Sequence, residues 1–371
     1  MSMNLFPDLQ KRYCSEQLSA REAQRLAEFI AWGPAVFQVS RLMVEWGILD
    51  LLRDSDEGLT IAEVSEAKGI SEYAATILLE GSLSIGTVLV DTATGRFTLS
   101  KTGWFLINDH ATRVNMSFNH HVNYRGFFDL DKSLAEGRPA GLASLGDWPT
   151  VYEGLSSLPA EVQKSWFDFD HFYSDHSFDR ALELVFAGAP SNIMDIGGNT
   201  GRWALRCVEH NKDVNVTVVD LPQQIGLLRE NIAGKEGADR IHGFGTNLLD
   251  PHNALPAGKW EVIWMSQFLD CFSEEQILSI LQRVAAVAGP ETRVMIMETL
   301  WDRQRFEPAA FCLTMTSVYF TAIANGNSKM YHSDRFLALL ERAGFEVEAV
   351  TDAIGQGHSI VTCRLKNTNK Q

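Results

Sequence analysis

The chain has 371 residues, of which 45% are hydrophobic and 21% charged, a balance typical of a globular protein with a sizeable core. This length exceeds one average domain and predicts two or three structural units. The formal net charge of −15 argues against nucleic acid or an anionic membrane surface as a partner, because binding phosphate groups needs a basic face.

The five cysteines are scattered and form no Cys-x-x-Cys pair, so we expect neither a disulfide framework nor a metal site. No apolar run approaches the length of a membrane span, and residues 1–12 lack the apolar centre of a signal peptide. These features predict a cytoplasmic protein with no membrane partner.

The first predicted elements lie between residues 22 and 53, where apolar residues recur at helical spacing. The pattern is interrupted at Gly33-Pro34 and again at Gly47, and Pro34 can open a new helix in its first turn. We therefore expect two helices rather than one. The apolar surface of this segment fits a helical dimer interface.

A short helical region and a hairpin follow. Residues 60–63 form a capping-box sequence, and Val88–Asp91 with Phe97–Leu99 predict a small hairpin. This order matches a winged helix, but the stretch that would read DNA, Ser71 to Glu80, contains no Lys or Arg. We predict a helical, winged-helix-like dimerisation domain over residues 1–105, in preference to a DNA-binding regulator.

Residues 106–185 are rich in aromatic side chains and irregular in pattern, which predicts a helical connector. Any single aromatic here is best explained as core. Together, and just before a cofactor-binding turn, they predict the wall of an aromatic substrate pocket. The residues assigned to this pocket come from the connector and from a later segment: Phe128, Trp148, Phe172, Tyr319, Phe320 and Ile323.

Strands and helices alternate over residues 186–371, as a parallel sheet in an α/β domain requires. A helix is predicted from Ser333 to Ala343, ending at Gly344. The predicted strands cover residues 192–196, 214–219, 240–244, 261–265, 293–298 and 358–365.

A glycine-rich turn, Asp-Ile-Gly-Gly-Asn-Thr-Gly from Asp195 to Gly201, completes the first of these strands. Its three glycines allow a sharp turn and let a ligand lie against backbone N–H groups. Their spacing differs from the Gly-x-Gly-x-x-Gly of dinucleotide sites, which argues against a nicotinamide cofactor. Asp220 ends the next strand, where an acid accepts hydrogen bonds from ribose hydroxyls in doubly wound folds.

At these motifs the chain resembles the two-domain, S-adenosylmethionine-dependent O-methyltransferases of small molecules, which include plant phenolic methyltransferases, acetylserotonin methyltransferase and bacterial tailoring enzymes. The resemblance covers nearly the whole length, with a winged-helix-like dimerisation domain and a Rossmann-like class I methyltransferase domain. It implies a homodimeric transferase of secondary metabolism that uses S-adenosyl-L-methionine.

The resemblance also implies cofactor contacts. The run from Phe169 to Ser177 resembles the family's Phe-Asn-x-x-Met-Ser-x-x-Ser, with Tyr173 replacing the Met. Residues 246–249 resemble the family's Gly-Asp-Met/Phe-Phe beside adenine, and a basic position near adenine is replaced by Ser266 or Gln267. The residues implied to bind the cofactor are Phe169, Tyr173, Ser177, Asp195, Gly197, Gly198, Gly201, Asp220, Leu221, Asn247, Leu248, Ser266 and Gln267.

The chain departs from the family at the catalytic base. Where the family has Leu-His-Asp-Trp-Ser-Asp-Glu, this chain has Leu-Asp-Cys-Phe-Ser-Glu-Glu over residues 269–275, so Asp270 stands at the position of the histidine. Glu298 matches one of the family's two supporting glutamates, and the other falls near Lys329. The predicted catalytic residues are Asp270 and Glu298.

An unperturbed aspartate is a weaker base than histidine. Taking a proton from a phenol of pKa about 10 is uphill by roughly 8 kcal/mol for Asp and about 5 kcal/mol for His. Burial near Glu298 would raise the pKa of Asp270, or orientation of the acceptor would suffice. In a further alternative Asp270 merely caps the next helix. A histidine is another candidate base, the four considered being His120, His121, His171 and His332.

The expected function is O-methylation of a hydroxylated aromatic small molecule. Residues 153–171 resemble bacterial methyltransferases encoded with aryl polyene pathways, which leaves ring C-methylation of an aryl precursor as an alternative. A catalytically silent cofactor-binding homologue is a further alternative, since the base histidine is replaced.

Overall fold

The computed structural model describes residues 4–366, which form two compact units. The small unit contains residues 16–122 and 164–169, and the large unit contains residues 4–15, 123–163 and 170–366. Helix α1 (Pro7–Tyr13) belongs to the large unit.

The small unit is helical except for one antiparallel hairpin, formed by β1 (Val88–Asp91) and β2 (Arg96–Leu99). Its apolar core is built mainly from α3 to α6 and the hairpin. The helices are α2 (Ala20–Ala31), α3 (Gly33–Glu45), α4 (Ile48–Arg53), α5 (Ile61–Lys68), α6 (Glu72–Ile85), α7 (Lys101–Asn108) and α8 (His110–Phe118).

The helices of this unit begin and break at the residues that the sequence predicts. Pro34 lies in the first turn of α3, and Gly47 adopts a φ of 65° before α4. Thr60 and Glu63 form the capping box at the start of α5. The predicted helix breaks and hairpin are confirmed. Helix α2 buries none of its residues, so its apolar face is left uncovered by residues 4–366.

The large unit contains a seven-stranded sheet in the order β5-β4-β3-β6-β7-β9-β8. Strands β3 to β7 run parallel, whereas β9 is antiparallel to β7 and β8 is antiparallel to β9. The bounds are β3 (Asn192–Ile196), β4 (Asn215–Asp220), β5 (Ile241–Gly245), β6 (Val262–Ser266), β7 (Arg293–Glu298), β8 (Phe345–Ile354) and β9 (His358–Leu365).

The expectation of a wholly parallel sheet is wrong at this edge, and β8 was not predicted. Only the two ends of β8, Phe345 and Ile354, are buried, and its middle carries Glu346 and Glu348. An antiparallel edge strand can face water on one side, so it lacks the continuous apolar run of a buried parallel strand.

Helices cover both faces of the sheet and enclose two apolar clusters. In one of them the indole rings of Trp203 and Trp264 stack with centroids 4.8 Å apart and planes at 21°. None of the helices within residues 4–366 is long and apolar enough to cross a membrane. The remaining helices are α9 (Leu130–Glu136), α10 (Val151–Gly154), α11 (Ala160–Ser174), α12 (Phe178–Phe186), α13 (Arg202–His210), α14 (Pro222–Ile232), α15 (Glu274–Val287), α16 (Glu307–Tyr319) and α17 (Ser333–Arg342).

Candidate active site

The carboxyl ends of β4, β3 and β6 lie side by side in the centre of the sheet. Strand order reverses at β3, since β4 and β5 lie on one side and β6 and β7 on the other. Ligands of doubly wound folds bind outside the carboxyl ends of the strands at such a switch point. The glycine-rich turn from β3 to α13 is located there.

The turn has the bare, tightly packed backbone that its sequence predicts. Gly197 and Gly201 have φ angles of 78° and 79°, which side-chain-bearing residues rarely adopt. A Cβ on Gly197 would lie 2.3 Å from the ring of Phe268, and one on Gly198 would lie 2.4 Å from Asp195 Oδ2. Neither position has room for a side chain.

One carboxylate oxygen of Asp220 holds the turn, and the other binds the backbone that follows β4. Oδ2 accepts the backbone N–H of Asn199 at 2.8 Å, and Oδ1 accepts that of Leu221 at 2.7 Å. Each oxygen keeps a second lone pair, so the carboxylate can still accept hydrogen bonds from ribose hydroxyls. Asp220 therefore links the backbone of the turn to the end of β4.

Asp195 lies buried beneath the turn, and its Oδ2 makes no hydrogen bond to any described residue. Burial, assisted by the charge of Asp220, raises the pKa of Asp195 to about 8. The Asp195 carboxyl is therefore mostly protonated at neutral pH in the protein without ligand.

Gln267, which directly follows β6, is a strained residue with an unused acceptor. Its φ is 47°, uncommon for a residue other than glycine, and its backbone N–H bonds to Met297 O at 2.9 Å. The side-chain Oε1 is buried without a hydrogen bond among the described residues. Strained backbone and an orphaned acceptor are features of ligand-binding positions, and they fit the predicted cofactor role.

The other residues predicted to contact adenine differ in their exposure to solvent. Leu248 is buried in the core beside the sheet, whereas Asn247 is exposed and its Oδ1 accepts the N–H of Leu249 at 2.9 Å. Ser266, the last residue of β6, is half-buried. The roles of these residues toward a cofactor stay predictions.

The segment from Phe169 to Ser177 is divided between the two units. Phe169 belongs to the small unit, where its ring stacks on Phe118 at 4.0 Å. In the large unit Tyr173 packs edge-on against Phe172, and the buried Ser177 Oγ lies 3.0 Å from His358 Nδ1. The Ser177 hydroxyl is thus already engaged inside the protein, and the cofactor roles of all three predicted residues stay predictions.

A pair of buried acids lies at the ends of the neighbouring strands β6 and β7. Asp270 belongs to a short 3-10 turn, Leu269–Cys271, and Glu298 is the last residue of β7. Glu298 Oε1 accepts the backbone N–H groups of Phe268 at 3.0 Å and Leu269 at 2.8 Å. Glu298 therefore fixes the turn that carries Asp270, while its own Oε2 has no hydrogen bond among the described residues.

Burial makes this pair more basic than exposed carboxylates. It raises the pKa of Asp270 to about 6. Burial, and then the charge of Asp270, raises the pKa of Glu298 well above its usual range. A pKa of about 6 leaves Asp270 mostly ionised at neutral pH, whereas the upward shift at Glu298 favours its protonated form.

The alternative that Asp270 caps helix α15 is wrong. Ser273 is the N-cap, its side chain accepts the N–H of Gln276, and Gln276 closes the capping box. Asp270 lies outside the cap and remains available for chemistry. Lys329, where the family's second glutamate falls, pairs with Glu274 at 3.1 Å.

Each of the four candidate histidines interacts with a neighbouring side chain. His121 Nδ1 lies 2.7 Å from Ser165 Oγ, and His171 Nδ1 lies 2.8 Å from Arg202. His332 caps α17 and lies 3.8 Å from Asp302. The ring of the fourth, His120, packs against His121 with centroids 4.8 Å apart.

The predicted pocket residues fall into buried and exposed groups. Tyr319, Phe320 and Ile323 are buried where α16 continues into a π-helical turn, a feature frequent at functional sites. Phe172 is buried, whereas Phe128 is 91% exposed and is not enclosed by the part of the chain that the structure describes.

Trp148 is clamped between two glycines of the large unit. A Cβ on Gly146 would lie 2.2 Å from its ring, and one on Gly154 would lie 2.4 Å from it. The close contact on both sides fixes the indole next to α10. Whether a substrate touches it stays a prediction.

Sequence reasoning missed two side chains beside Asp270. Cys271 Sγ lies 3.5 Å from Asp270 Oδ1 in donor geometry. The Tyr152 hydroxyl is buried and interacts electrostatically with Cys271 and Asp270. The family motif marked only the base position, and nothing in the spacing connects residue 152 to it.

Two family models match the chain. A Dimerisation2-like domain matches residues 24–97, and an O-methyltransferase domain matches residues 175–346. The two matched ranges leave out most of the aromatic-rich connector.

The chain is similar to curated proteins over most of its length. Acetylserotonin O-methyltransferase of Homo sapiens is 22% identical, over 91% of this chain and 98% of that protein. The 3-amino-4-hydroxybenzoate 4-O-methyltransferase of Streptomyces cremeus is 25% identical, over 88% and 86%.

Among solved structures, the fold is similar to that of an O-methyltransferase from neocarzinostatin biosynthesis in complex with S-adenosylmethionine and 2-hydroxy-5-methyl naphthoic acid. The TM-score is 0.63 at 22% identity, covering 90% of this chain and 95% of that one. At this identity the likeness shows the fold.

Proposed function

Because the chain belongs to the two-domain O-methyltransferases, which use S-adenosylmethionine, we propose that it methylates a hydroxyl group of an aromatic small molecule. The observation that carries the proposal is Asp270, a buried carboxylate of raised pKa fixed by Glu298 next to the glycine-rich turn. The printed names of two relatives, for acetylserotonin and for 3-amino-4-hydroxybenzoate, support an aromatic hydroxyl acceptor.

The residues around the turn fit the cofactor. When bound, S-adenosylmethionine supplies an activated methyl group on a sulfonium centre. The glycine-rich turn would lie against it, Asp220 would accept hydrogen bonds from its ribose, and Gln267 Oε1 would accept from one of its N–H groups. The bare backbone at Gly197 and Gly198 is what a close approach of the ligand requires.

Asp270 takes the proton of the acceptor hydroxyl. Asp270 has a pKa of about 6, so its removal of a proton from a phenol of pKa about 10 is uphill by roughly 5 kcal/mol. This is about the same as for an unperturbed histidine. Burial thus restores the basicity that the replacement of histidine by aspartate removes. Tyr319, Phe320 and Ile323 supply apolar surface that would orient an aromatic acceptor and exclude water.

The decisive experiment has two stages. Calorimetry with S-adenosylmethionine, S-adenosylhomocysteine and NADH should give micromolar binding of both sulfur compounds and none of NADH. Mass spectrometry of a panel of hydroxyaryl acceptors should then detect a product 14 Da heavier, formed by the wild type and not by Asp270→Asn.

Each stage separates the alternatives. Binding without any methylated product across the panel would favour the catalytically silent homologue. A product methylated on ring carbon would favour the aryl precursor alternative. Failure to bind either sulfur compound would overturn the proposal as a whole.

We also propose that the protein acts as a homodimer in the cytoplasm. The Dimerisation2-like match and the uncovered apolar face of α2 support the dimer. The five cysteines all lie within the described residues and form no disulfide with one another, which supports a reducing compartment.

A further inference from the structure

Asp270 is in contact with the thiol of Cys271, which has no role in the proposed proton transfer. Cys271 Sγ donates to Asp270 Oδ1 across 3.5 Å, within the range of an S–H···O hydrogen bond. The neighbouring Tyr152 hydroxyl is buried, makes no hydrogen bond of standard geometry among the described residues, and interacts with the thiol electrostatically. All three groups belong to the large unit.

Two further ionisable groups lie near Asp270, and burial raises the pKa of both. Glu298 on β7 is a second acid. The charge of Asp270 contributes to the raised pKa of the Tyr331 phenol, whose O–H donates to Phe272 O at 2.6 Å. Burial is the largest effect and favours the protonated form of Asp270. The Cys271 thiol acts in the opposite direction, because a donor to a carboxylate stabilises its charged form.

The replacement at position 271 complements the replacement at position 270. The family that the chain resembles has an aspartate after its base histidine, and this chain has Asp270 followed by Cys271. A carboxylate kept at 271 would repel the charge of Asp270 and hold it protonated. A neutral thiol avoids that repulsion and supplies a donor.

We propose that Cys271 is a positioning residue that, supported by Tyr152, donates its S–H to Asp270 and holds this carboxylate ionised and oriented for the acceptor hydroxyl. The inference rests on the proposed function. In the proton transfer it serves, the acceptor O–H bond breaks, the acceptor oxygen keeps the electron pair, and the proton forms a new bond to an oxygen of the Asp270 carboxylate.

The test is the pH dependence of kcat/KM for the wild type, Cys271→Ala and Cys271→Ser, with Cys14→Ala as the control because Cys14 is an exposed thiol. Cys271→Ala should move the acid limb to higher pH by roughly half a unit to one unit, which is a loss of about three- to tenfold on that limb. Cys271→Ser retains a stronger donor and should return the midpoint to the wild-type value or below it. Tyr152→Phe should shift the midpoint of the acid limb to higher pH, but by less than Cys271→Ala does.

A second readout does not depend on turnover. Infrared difference spectra, wild type minus Asp270→Asn, isolate the protonated-carboxyl band of Asp270. Compared with wild type, this band should titrate at higher pH in Cys271→Ala and at no higher pH in Cys271→Ser. Equal midpoints in wild type and both Cys271 variants, or equal displacement by Ala and Ser, would overturn the inference. If instead Asp270→Asn keeps full turnover, the base of the proposed function is wrong, and the infrared titration still decides the role of Cys271.

Discussion

A buried carboxylate can replace a histidine as a base when its surroundings bring the two pKa values together, and Asp270 meets this condition. Its pKa of about 6 is close to that of an ordinary imidazole. The two bases differ in charge, because a protonated Asp270 is neutral whereas a protonated histidine is a cation. The site therefore never adds a positive charge next to the cationic cofactor that we propose.

The first prediction is a pH profile. Asp270 must be ionised to accept a proton, so kcat/KM should be low below pH 6 and rise to a plateau above it. Asp270→Asn should lower kcat by at least about a hundredfold and remove this acid limb, with cofactor affinity unchanged. Steady-state assays from pH 5 to 8, with calorimetry of both proteins, check this. A variant that retains the limb would place the base on another residue.

The second prediction concerns Asp220. Its oxygens bind the N–H groups of Asn199 and Leu221, so Asp220→Ala would loosen the turn and remove the proposed ribose acceptor. We expect the Kd of S-adenosylmethionine to rise at least tenfold, since one lost hydrogen bond to a charged group contributes about 1.5–3 kcal/mol. Asp213→Ala, which removes an exposed carboxylate just before β4, is the matched control in calorimetry. Equal affinities in the two variants would contradict the role of Asp220.

Residues of this site could be predicted from sequence where a motif fixes their register. Asp195, the three glycines and Asp220 follow strands whose ends meet at one edge, so their proximity was foreseeable. The electrostatic interaction of Tyr152 with Cys271 was not foreseeable, because it depends on how α10 packs in the large unit. The backbone strain at Gln267 also has no signature in the sequence.

At the scale of elements, the turn between β3 and α13 should be intolerant of side chains. Gly197→Ala places a Cβ against the Phe268 ring at a φ of 78°, and both effects are unfavourable. We expect a loss of about 1–3 kcal/mol in unfolding free energy and weaker cofactor binding.

Gly226→Ala is the control for this prediction. Gly226 lies within α14, and a Cβ there has nothing within 4 Å, so the change should stabilise the protein by about 0.5–1 kcal/mol. Urea unfolding of both variants measures the difference. A Gly197→Ala protein as stable as the control would show that the turn can relax.

Elements with strong local signals were predictable, and the sheet edge was not. The helix breaks at Gly33-Pro34 and Gly47 rest on residues that fix the backbone locally, whatever the tertiary context. Strand β8 instead gains its structure from pairing with β9, with two register shifts along its length. Such pairing depends on the partner strand, which periodicity within one segment does not reveal.

At the scale of the whole molecule, acids held protonated by burial make stability depend on pH. The folded pKa of Asp195 is about 8, above its unfolded value near 4, so its contribution to stability is complete below pH 4 and declines as pH rises to 8. The decline is at most about 1.4 kcal/mol per pH unit.

Asp195→Asn removes this titration. In urea unfolding without ligand at pH 5 to 8, the stability of the wild type relative to Asp195→Asn should fall as the pH rises. Asp213→Asn, at an exposed acid, is the control. Parallel curves for all three proteins would show that Asp195 is ionised in the folded state.

The apolar face of α2 predicts the assembly. Ile30 is 69% exposed, and Phe29 and Trp32 lie beside it in sequence at 43% and 66%. Ile30→Ser should lower the dimer fraction in light scattering, because an interface of this kind depends on a few buried apolar anchors. Leu134→Ser, at an equally exposed leucine of α9, is the control and should leave the dimer intact. A monomeric wild type would refute the proposed homodimer.

The stacked indoles of Trp203 and Trp264 give the protein an intrinsic spectroscopic signal for ligand binding. Trp203 is the second residue of α13, directly after the glycine-rich turn, and Trp264 lies in β6, which leads to Asp270. Both indole N–H groups are buried without hydrogen bonds among the described residues. Two such rings 4.8 Å apart couple their electronic transitions, so far-ultraviolet circular dichroism should carry an exciton couplet. We expect this couplet to change when a ligand binds at the turn.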